Sequence, residues 1–136
     1  MAMFLESTFT AEHQAREIAD SDYVTLLAEI GGSLIGYAQL RWSEAPECVT
    51  GKLPIELLRF YVDSAWKGRG IAQRLMSEVR DTAKTLGAQT LWLGVWEHNP
   101  RAKAFYAKSG FEDVGSHDFI LGRDRQTDRI LVVNLD

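Results

Sequence analysis

Lys67-Gly68-Arg69-Gly70 carries the most chemical content in this sequence. An apolar, aromatic-rich run from Leu57 to Val62 precedes it, with the composition of a strand, and Asp63-Ser64 breaks that run with turn-forming residues. After it, apolar residues recur at Ile71, Leu75, Met76, Val79, Ala83 and Leu86, the spacing of one helix face. A strand that turns through glycines into a helix aims several unpaired backbone N–H groups at one spot, where the positive end of the helix dipole also lies. Such a place binds anions, most often a phosphate or pyrophosphate. A tight turn with good capping accounts for the same residues without any ligand. Two nucleotide motifs fit poorly. The P-loop ends in Gly-Lys-Ser/Thr, which Gly70-Ile71-Ala72 lacks, and the dinucleotide fingerprint needs a third glycine where Gln73 stands.

Other reactive side chains are sparse. Cys48 has no matching histidine for covalent chemistry, and a single cysteine excludes an internal disulfide or a cysteine metal cluster. His13, His98 and His117 lack metal-ligand spacing, so no metal is expected.

The elements that must position the glycine turn follow from patterning. Thr8 or Thr10 caps a helix running to about Asp20. Tyr23 to Ile30 and Ser33 to Trp42 read as a hairpin closed by Gly31-Gly32. Ser43 to Pro54 is a loop at the long end for a compact domain, either functional or a plain surface connection. The helix from Ile71 ends near Leu86-Gly87, and the nearly all-apolar Thr90 to Trp96 is a strand covered on both faces. Strand, helix, strand over this length is a crossover, so its two strands should lie parallel. Asn99-Pro100 opens a short helix that ends at Gly110. Phe111 to Leu121 and Arg129 to Leu135 make a closing hairpin around a polar Gly122–Asp128 turn. The expectation is a single α/β (α+β) domain over 1–136: a mixed, mostly antiparallel sheet with one central parallel pair and helices on both faces.

The chain's 136 residues suffice for a real core, and 46% hydrophobic and 25% charged residues are ordinary for a globular protein. A net charge of −4 argues against nucleic acid as a partner held by bulk field, although Arg59, Lys67, Arg69 and Arg74 crowd the glycine turn. No apolar run approaches the roughly 18 residues of a membrane span and no signal-peptide pattern is found, which reads as cytoplasmic with no membrane partner.

Lys67-x-x-Gly70-x-Ala72 resembles the (Gln/Arg)-x-x-Gly-x-(Gly/Ala) motif of the GNAT superfamily of acyl-CoA-dependent N-acetyltransferases, with lysine in the first position. Downstream, Asn99-Pro-Arg-Ala102-Lys-Ala-Phe105-Tyr106-Ala-Lys-Ser-Gly110-Phe111 resembles the family's Asn-x-x-Ala-x-x-Phe-Tyr-x-x-x-Gly-Phe, and Ile55 to Val62 is similar to the strand before the first motif. The resemblance covers about Tyr23 to Asp136 and implies the acyl-CoA N-acyltransferase fold. The family usually opens with a strand and one or two helices that help build the acceptor pocket. Here only the Thr8–Asp20 helix stands in that place, so a first strand and first helix are expected to be missing.

The resemblance also implies roles. The pyrophosphate of acetyl-CoA would sit on the N–H groups of Gly68, Arg69, Gly70, Ile71 and Ala72, with Lys67 and Arg69 adding charge. The pantetheine arm would pair with backbone groups of Phe60, Tyr61 and Val62, a strand N–H would polarise the thioester carbonyl, and Thr90 to Val95 would splay away. Asn99 matches a residue that touches the cofactor or fixes the loop; a helix cap explains it equally well. Tyr106 matches the general acid for the departing thiolate, while the Ala102, Phe105, Tyr106 stripe also reads as core packing. Glu56, eleven positions before Lys67, matches a catalytic glutamate of histone-acetylating members; counted by twos it shares a strand face with Leu58 and Phe60, an apolar setting that would raise its pKa. Glu97 and His98 are rival bases. The activity implied is acetyl transfer from acetyl-CoA to a primary amine, on a small molecule or peptide, by direct attack in a ternary complex. The alternative is a GNAT-like acyl-CoA sensor or assembly module, with a nucleotide-binding module a weaker rival. Acidic surface residues favour a cationic acceptor, and sheet edges bared by a missing first strand would favour a homodimer.

Overall fold

Alternation of apolar and polar side chains builds the sheet. The computed structural model describes residues 23–66 and 68–135; the expected Thr8–Asp20 helix, His13 and Lys67 lie outside them. Strands β1 (Tyr23–Ile30) and β2 (Ser33–Arg41) form the expected glycine-closed hairpin, and β2 pairs antiparallel with β3 (Pro54–Val62). Val24, Leu40 and Leu57 lie side by side, as do Leu26, Ala38 and Phe60, on the face that carries the buried core. A single 3-10 turn, Ser64–Trp66, follows β3, with Asp63 Oδ1 accepting the Ala65 N–H at 3.0 Å.

Helix α1 (Ile71–Thr85) buries Ile71, Leu75, Met76, Val79 and Ala83, which is the stripe its periodicity predicts. It returns the chain to β4 (Thr90–Trp96), which lies parallel to β3 as a crossover requires. Helix α2 (Pro100–Lys108) packs Ala102, Phe105 and Tyr106 against the same core, and Arg80 Nη1 of α1 donates to the Ser109 carbonyl at 2.7 Å to tie the two helices together. Strands β5 (Glu112–Leu121) and β6 (Asp124–Asn134) complete a six-stranded sheet of order β1-β2-β3-β4-β6-β5. The mixed sheet with one parallel pair is as expected. Both described helices occupy one face; residues 42–53 cross the other, where Cys48 lies against Gly115 and Gly51 against Thr90.

Two details depart from the sequence reading. The polar segment read as a Gly122–Asp128 turn is mostly strand: β6 starts at Asp124, directly opposite Leu121, and Asp128 pairs with His117 and Trp96. The outer half of this hairpin is solvated, so polar residues fit its ladder, and Thr127 Oγ1 donates to Asp118 at 2.8 Å across it. The second departure is a bulge in β3. Leu40 faces Leu57 while Gln39 faces Arg59, which leaves Leu58 without a partner on β2 and moves the alternation by one position. No helix among the described residues is long and apolar enough to cross a membrane.

Candidate active site

The parallel pairing of β3 with β4 covers only Pro54 with Thr90, Ile55 with Leu91 and Glu56 with Trp92. Beyond Glu56 the strands part, while β4 stays paired with β6 as far as Trp96. The fork leaves one edge of β3 bare over the stretch that contains the bulge, so its backbone groups can receive an added strand. On the helix side this fork opens into a cleft of about 650 Å³, walled by Phe60, Tyr61 and Val62, floored by Gly68, Gly70, Ile71 and Ala72, and closed by Asn99, Ala102, Phe105 and Tyr106. The two separated motifs of the sequence therefore meet around one cavity. Trp66, Gln73 and Arg101 also line it, and nothing in their spacing singled them out.

Gly68 and Gly70 have φ of +79° and +77°, in the left-handed region that costs other residues about 1–2 kcal/mol, and a side-chain carbon built on either would meet nothing within 4 Å. Their conformation demands glycine and their surroundings are open to an approaching group. Gly70 caps α1, whose first turn contains no acidic residue, so the partial positive charge there is not neutralised. Arg69 is not among the residues lining the cleft, but its guanidinium lies 5.0 Å from the ring centre of Trp66, which is. Asn99 does what its capping reading demands: its Oδ1 accepts the Ala102 N–H at 3.1 Å, and it also faces the cleft.

Tyr106 stands in an aromatic group, with ring centres 6.3 Å from Phe60, 5.4 Å from Phe105 and 5.6 Å from Phe111. Burial among these rings pushes its phenol above the ordinary tyrosine range, which keeps the proton on the oxygen. Tyr106 packs against the core, as its stripe with Ala102 and Phe105 predicts, and it also lines the cleft.

Glu56 differs from expectation. The bulge at Leu58 puts Phe60 on the opposite face of the sheet, so the two do not share an apolar setting. Glu56 is instead bound: its Oε1 accepts Arg41 Nε at 2.7 Å and Ser43 Oγ at 2.8 Å, and the pair holds the Arg41 guanidinium even more firmly protonated than usual. It borders a second chamber of about 480 Å³ on the face opposite the helices, together with Ser43, Glu44, Leu58, Trp92, Gly94, His117 and Asp128. Because Leu57 and Leu58 border this chamber while Phe60 to Val62 wall the cleft, the two cavities flank one fork. After β4, His98 Nε2 lies 3.2 Å from Glu97 Oε1, and neither residue is among those lining the two cavities. Asp128 and Trp92 escaped the sequence reading, the one inside a supposed turn and the other inside a continuous apolar run. No group of three or more His, Cys, Asp or Glu suited to a metal occurs among the described residues.

The fit to an acyl-CoA is good: a bare strand edge for an extended amide-bearing arm, glycine N–H groups at a helix start for a pyrophosphate, and a phenol between them. Comparison with known proteins agrees. Residues 2–111 match the model of the Acetyltransferase (GNAT) family. An N-acetyltransferase of Lactobacillus delbrueckii subsp. lactis is 34% identical over 131 residues, covering 96% of this chain and 76% of that relative. The structure of the PaiA N-acetyltransferase of Thermoplasma acidophilum in complex with coenzyme A is 25% identical with a TM-score of 0.66, over 88% of this chain and 65% of that one. An aminoglycoside 6'-N-acetyltransferase complexed with coenzyme A shares the fold at TM-score 0.71 and 18% identity, over 89% of this chain and 77% of that one. A forked sheet with a glycine turn on one side and a tyrosine helix on the other is thus the frame of a known enzyme class, and the chain belongs to the GNAT family of acetyl-CoA-dependent N-acetyltransferases.

Proposed function

We propose that this chain moves acetyl from acetyl-CoA to a primary amine by direct attack, with both substrates bound at once. The observation that carries the proposal is the pair of cavities on either side of the β3/β4 fork. One substrate can enter from each face and meet at the fork, so no covalent enzyme intermediate is required. Cys48, the one thiol, borders neither cavity among the described residues.

In this reading the N–H groups of Gly68 to Ala72 hold the pyrophosphate, and the bare edge of Phe60 to Val62 hydrogen-bonds the pantetheine amides. The bulge leaves Leu58 unpaired across β2, so a backbone N–H there can face the thioester carbonyl and stabilise charge on its oxygen. Tyr106, held protonated by burial, donates to the sulfur as the carbon–sulfur bond breaks. Asn99 supports the site by fixing the start of α2, which carries Tyr106. Glu56 borders the acceptor side, and the proton leaving the amine passes to a carboxylate of that chamber. The aminoglycoside-modifying neighbour supports a small-molecule amine, and the carboxylates Glu44, Glu56 and Asp128 around the chamber favour a cationic one.

Thiol release from acetyl-CoA, followed with spermidine, kanamycin and a short peptide with a free N-terminus, tests the reading. Turnover with any of them supports it. Thermal stabilisation by acetyl-CoA without turnover on these or a wider amine panel would mark the chain as an acyl-CoA sensor instead.

A further inference from the structure

We infer that Asp128 is the general base of the acceptor site, receiving the proton of a cationic primary amine in the chamber opposite the cofactor cleft. The inference rests on the acetyltransfer reading above and deepens it. Asp128 is carried on β6 opposite Trp96, yet its carboxylate leans back along the strand over Gly94: a side-chain carbon built on Gly94 would lie 3.1 Å from Asp128 Oδ2. Gly94 is exposed within an otherwise buried stretch of β4, so this position opens onto the chamber beside the fork. The absence of a side chain at Gly94 gives the carboxylate its room and gives an incoming nitrogen a path to it.

Glu56 is the poorer base by geometry. Its Oε1 already accepts from Arg41 and Ser43, and a proton taken on either carboxylate oxygen would remove the negative charge that strengthens the Arg41 bond. Asp128 has no such anchor among the described residues. Burial pushes its carboxyl up from the ordinary aspartate range and outweighs His117, which acts the other way. The charged and titratable groups facing the same chamber are Arg41 from β2, Glu44 from the crossing loop, Glu56 from β3 and His117 from β5. Arg41 is engaged by Glu56, which leaves Asp128 and the exposed Glu44 as carboxylates for an ammonium, and of these two it is Asp128 that stands over Gly94 beside the fork.

The proton balance closes. Asp128 pairs with the ammonium and takes one proton, freeing the nitrogen lone pair. The carbon–nitrogen bond forms as the carbon–sulfur bond breaks, and Tyr106 gives its proton to the sulfur. The nitrogen's second proton leaves through water and restores the Tyr106 phenol; Asp128 then releases its proton to solvent.

The test is the pH dependence of kcat/KM for thiol release with spermidine and kanamycin, using wild type, Asp128→Asn, Asp128→Glu and Glu56→Gln. Acetyl-CoA thermal stabilisation is measured on each to show that fold and cofactor site persist. Asp128→Asn should lose roughly 100-fold or more and lose the acidic limb of the profile, and Asp128→Glu should recover part of both. Glu56→Gln should keep the limb. An Asp128→Asn profile that keeps the wild-type acidic limb, or a limb that disappears in Glu56→Gln instead, overturns the assignment while leaving acetyl transfer intact. Wild-type protein that is stabilised by acetyl-CoA yet turns over neither amine nor any on a wider panel overturns both.

Discussion

Burial among Phe60, Phe105 and Phe111 raises the Tyr106 phenol, and an acid with a raised pKa remains a proton donor to higher pH. Tyr106→Phe keeps the ring and its packing while removing the proton, so turnover should fall by roughly 100-fold with acetyl-CoA stabilisation nearly unchanged. Unchanged turnover would take Tyr106 out of the mechanism. The sign for stability is separate. The unfolded phenol ionises near pH ~10 while the folded one resists, so Tyr106 works against the folded state as pH rises above that value, and Tyr106→Phe should flatten the alkaline end of a stability profile. Tyr106 was legible in the sequence because its whole motif is local, from Asn99 to Phe111. Glu56 was legible only as a position. Its true neighbours, Arg41 and Ser43, arrive from another strand and a loop, and counting by twos along β3 cannot see them. Asp128 was hidden because six polar residues in a row, Arg123 to Asp128, look like a turn when their strand partner is unknown.

Elements held by local chemistry were easy to read, and two of them make quantitative predictions. Asn99→Ala removes the N-cap bond to Ala102 and should cost about 1 kcal/mol of stability, visible in denaturant unfolding. Gly70→Ala forces an alanine into a φ of +77° at the start of α1, at about 1–2 kcal/mol. If the turn relaxes to avoid that strain, its N–H groups lose their common aim and acetyl-CoA affinity drops as well; a Gly70→Ala protein with wild-type affinity would count against the pyrophosphate role. A third case concerns the β5–β6 hairpin. Arg129 donates to both carboxylate oxygens of Asp113, at 2.9 and 2.7 Å, which holds that carboxyl below the usual range. A lowered pKa stabilises the fold above about pH 4 and ceases to do so as pH falls through the folded value. Both partners are over a third exposed, so Asp113→Asn should cost under about 1 kcal/mol at pH 7 and nothing at the acid end. What stayed illegible at this scale was the β3 bulge. It exists only relative to β2, so composition and period gave no sign of the extra residue that redirects Glu56, Arg59 and Tyr61.

Taken whole, the molecule is two sheet halves meeting at three residue pairs, with α1 packed across β2 and β3 and both helices sharing one core. The crossover pattern made the parallel pair predictable, whereas the early end of that pairing is a property of three-dimensional twist and of what the cleft must admit. This arrangement has a consequence for linkage. The bare edge of β3 between Leu58 and Val62 should be the least protected part of the central sheet, because its amides lack the partners that β4 gives to Ile55 and Glu56. A ligand that pairs with that edge supplies those partners, and it stabilises the folded chain by about 2.7 kcal/mol at a hundred times its Kd. Hydrogen exchange followed by mass spectrometry should therefore show acetyl-CoA slowing residues 58–62 and 68–73 well beyond the global effect, with ATP and NAD giving no such pattern. ATP reproducing the protection at 68–73 without that at 58–62 would reveal a phosphate site alone. Uniform slowing with acetyl-CoA would place the acyl-CoA outside the fork.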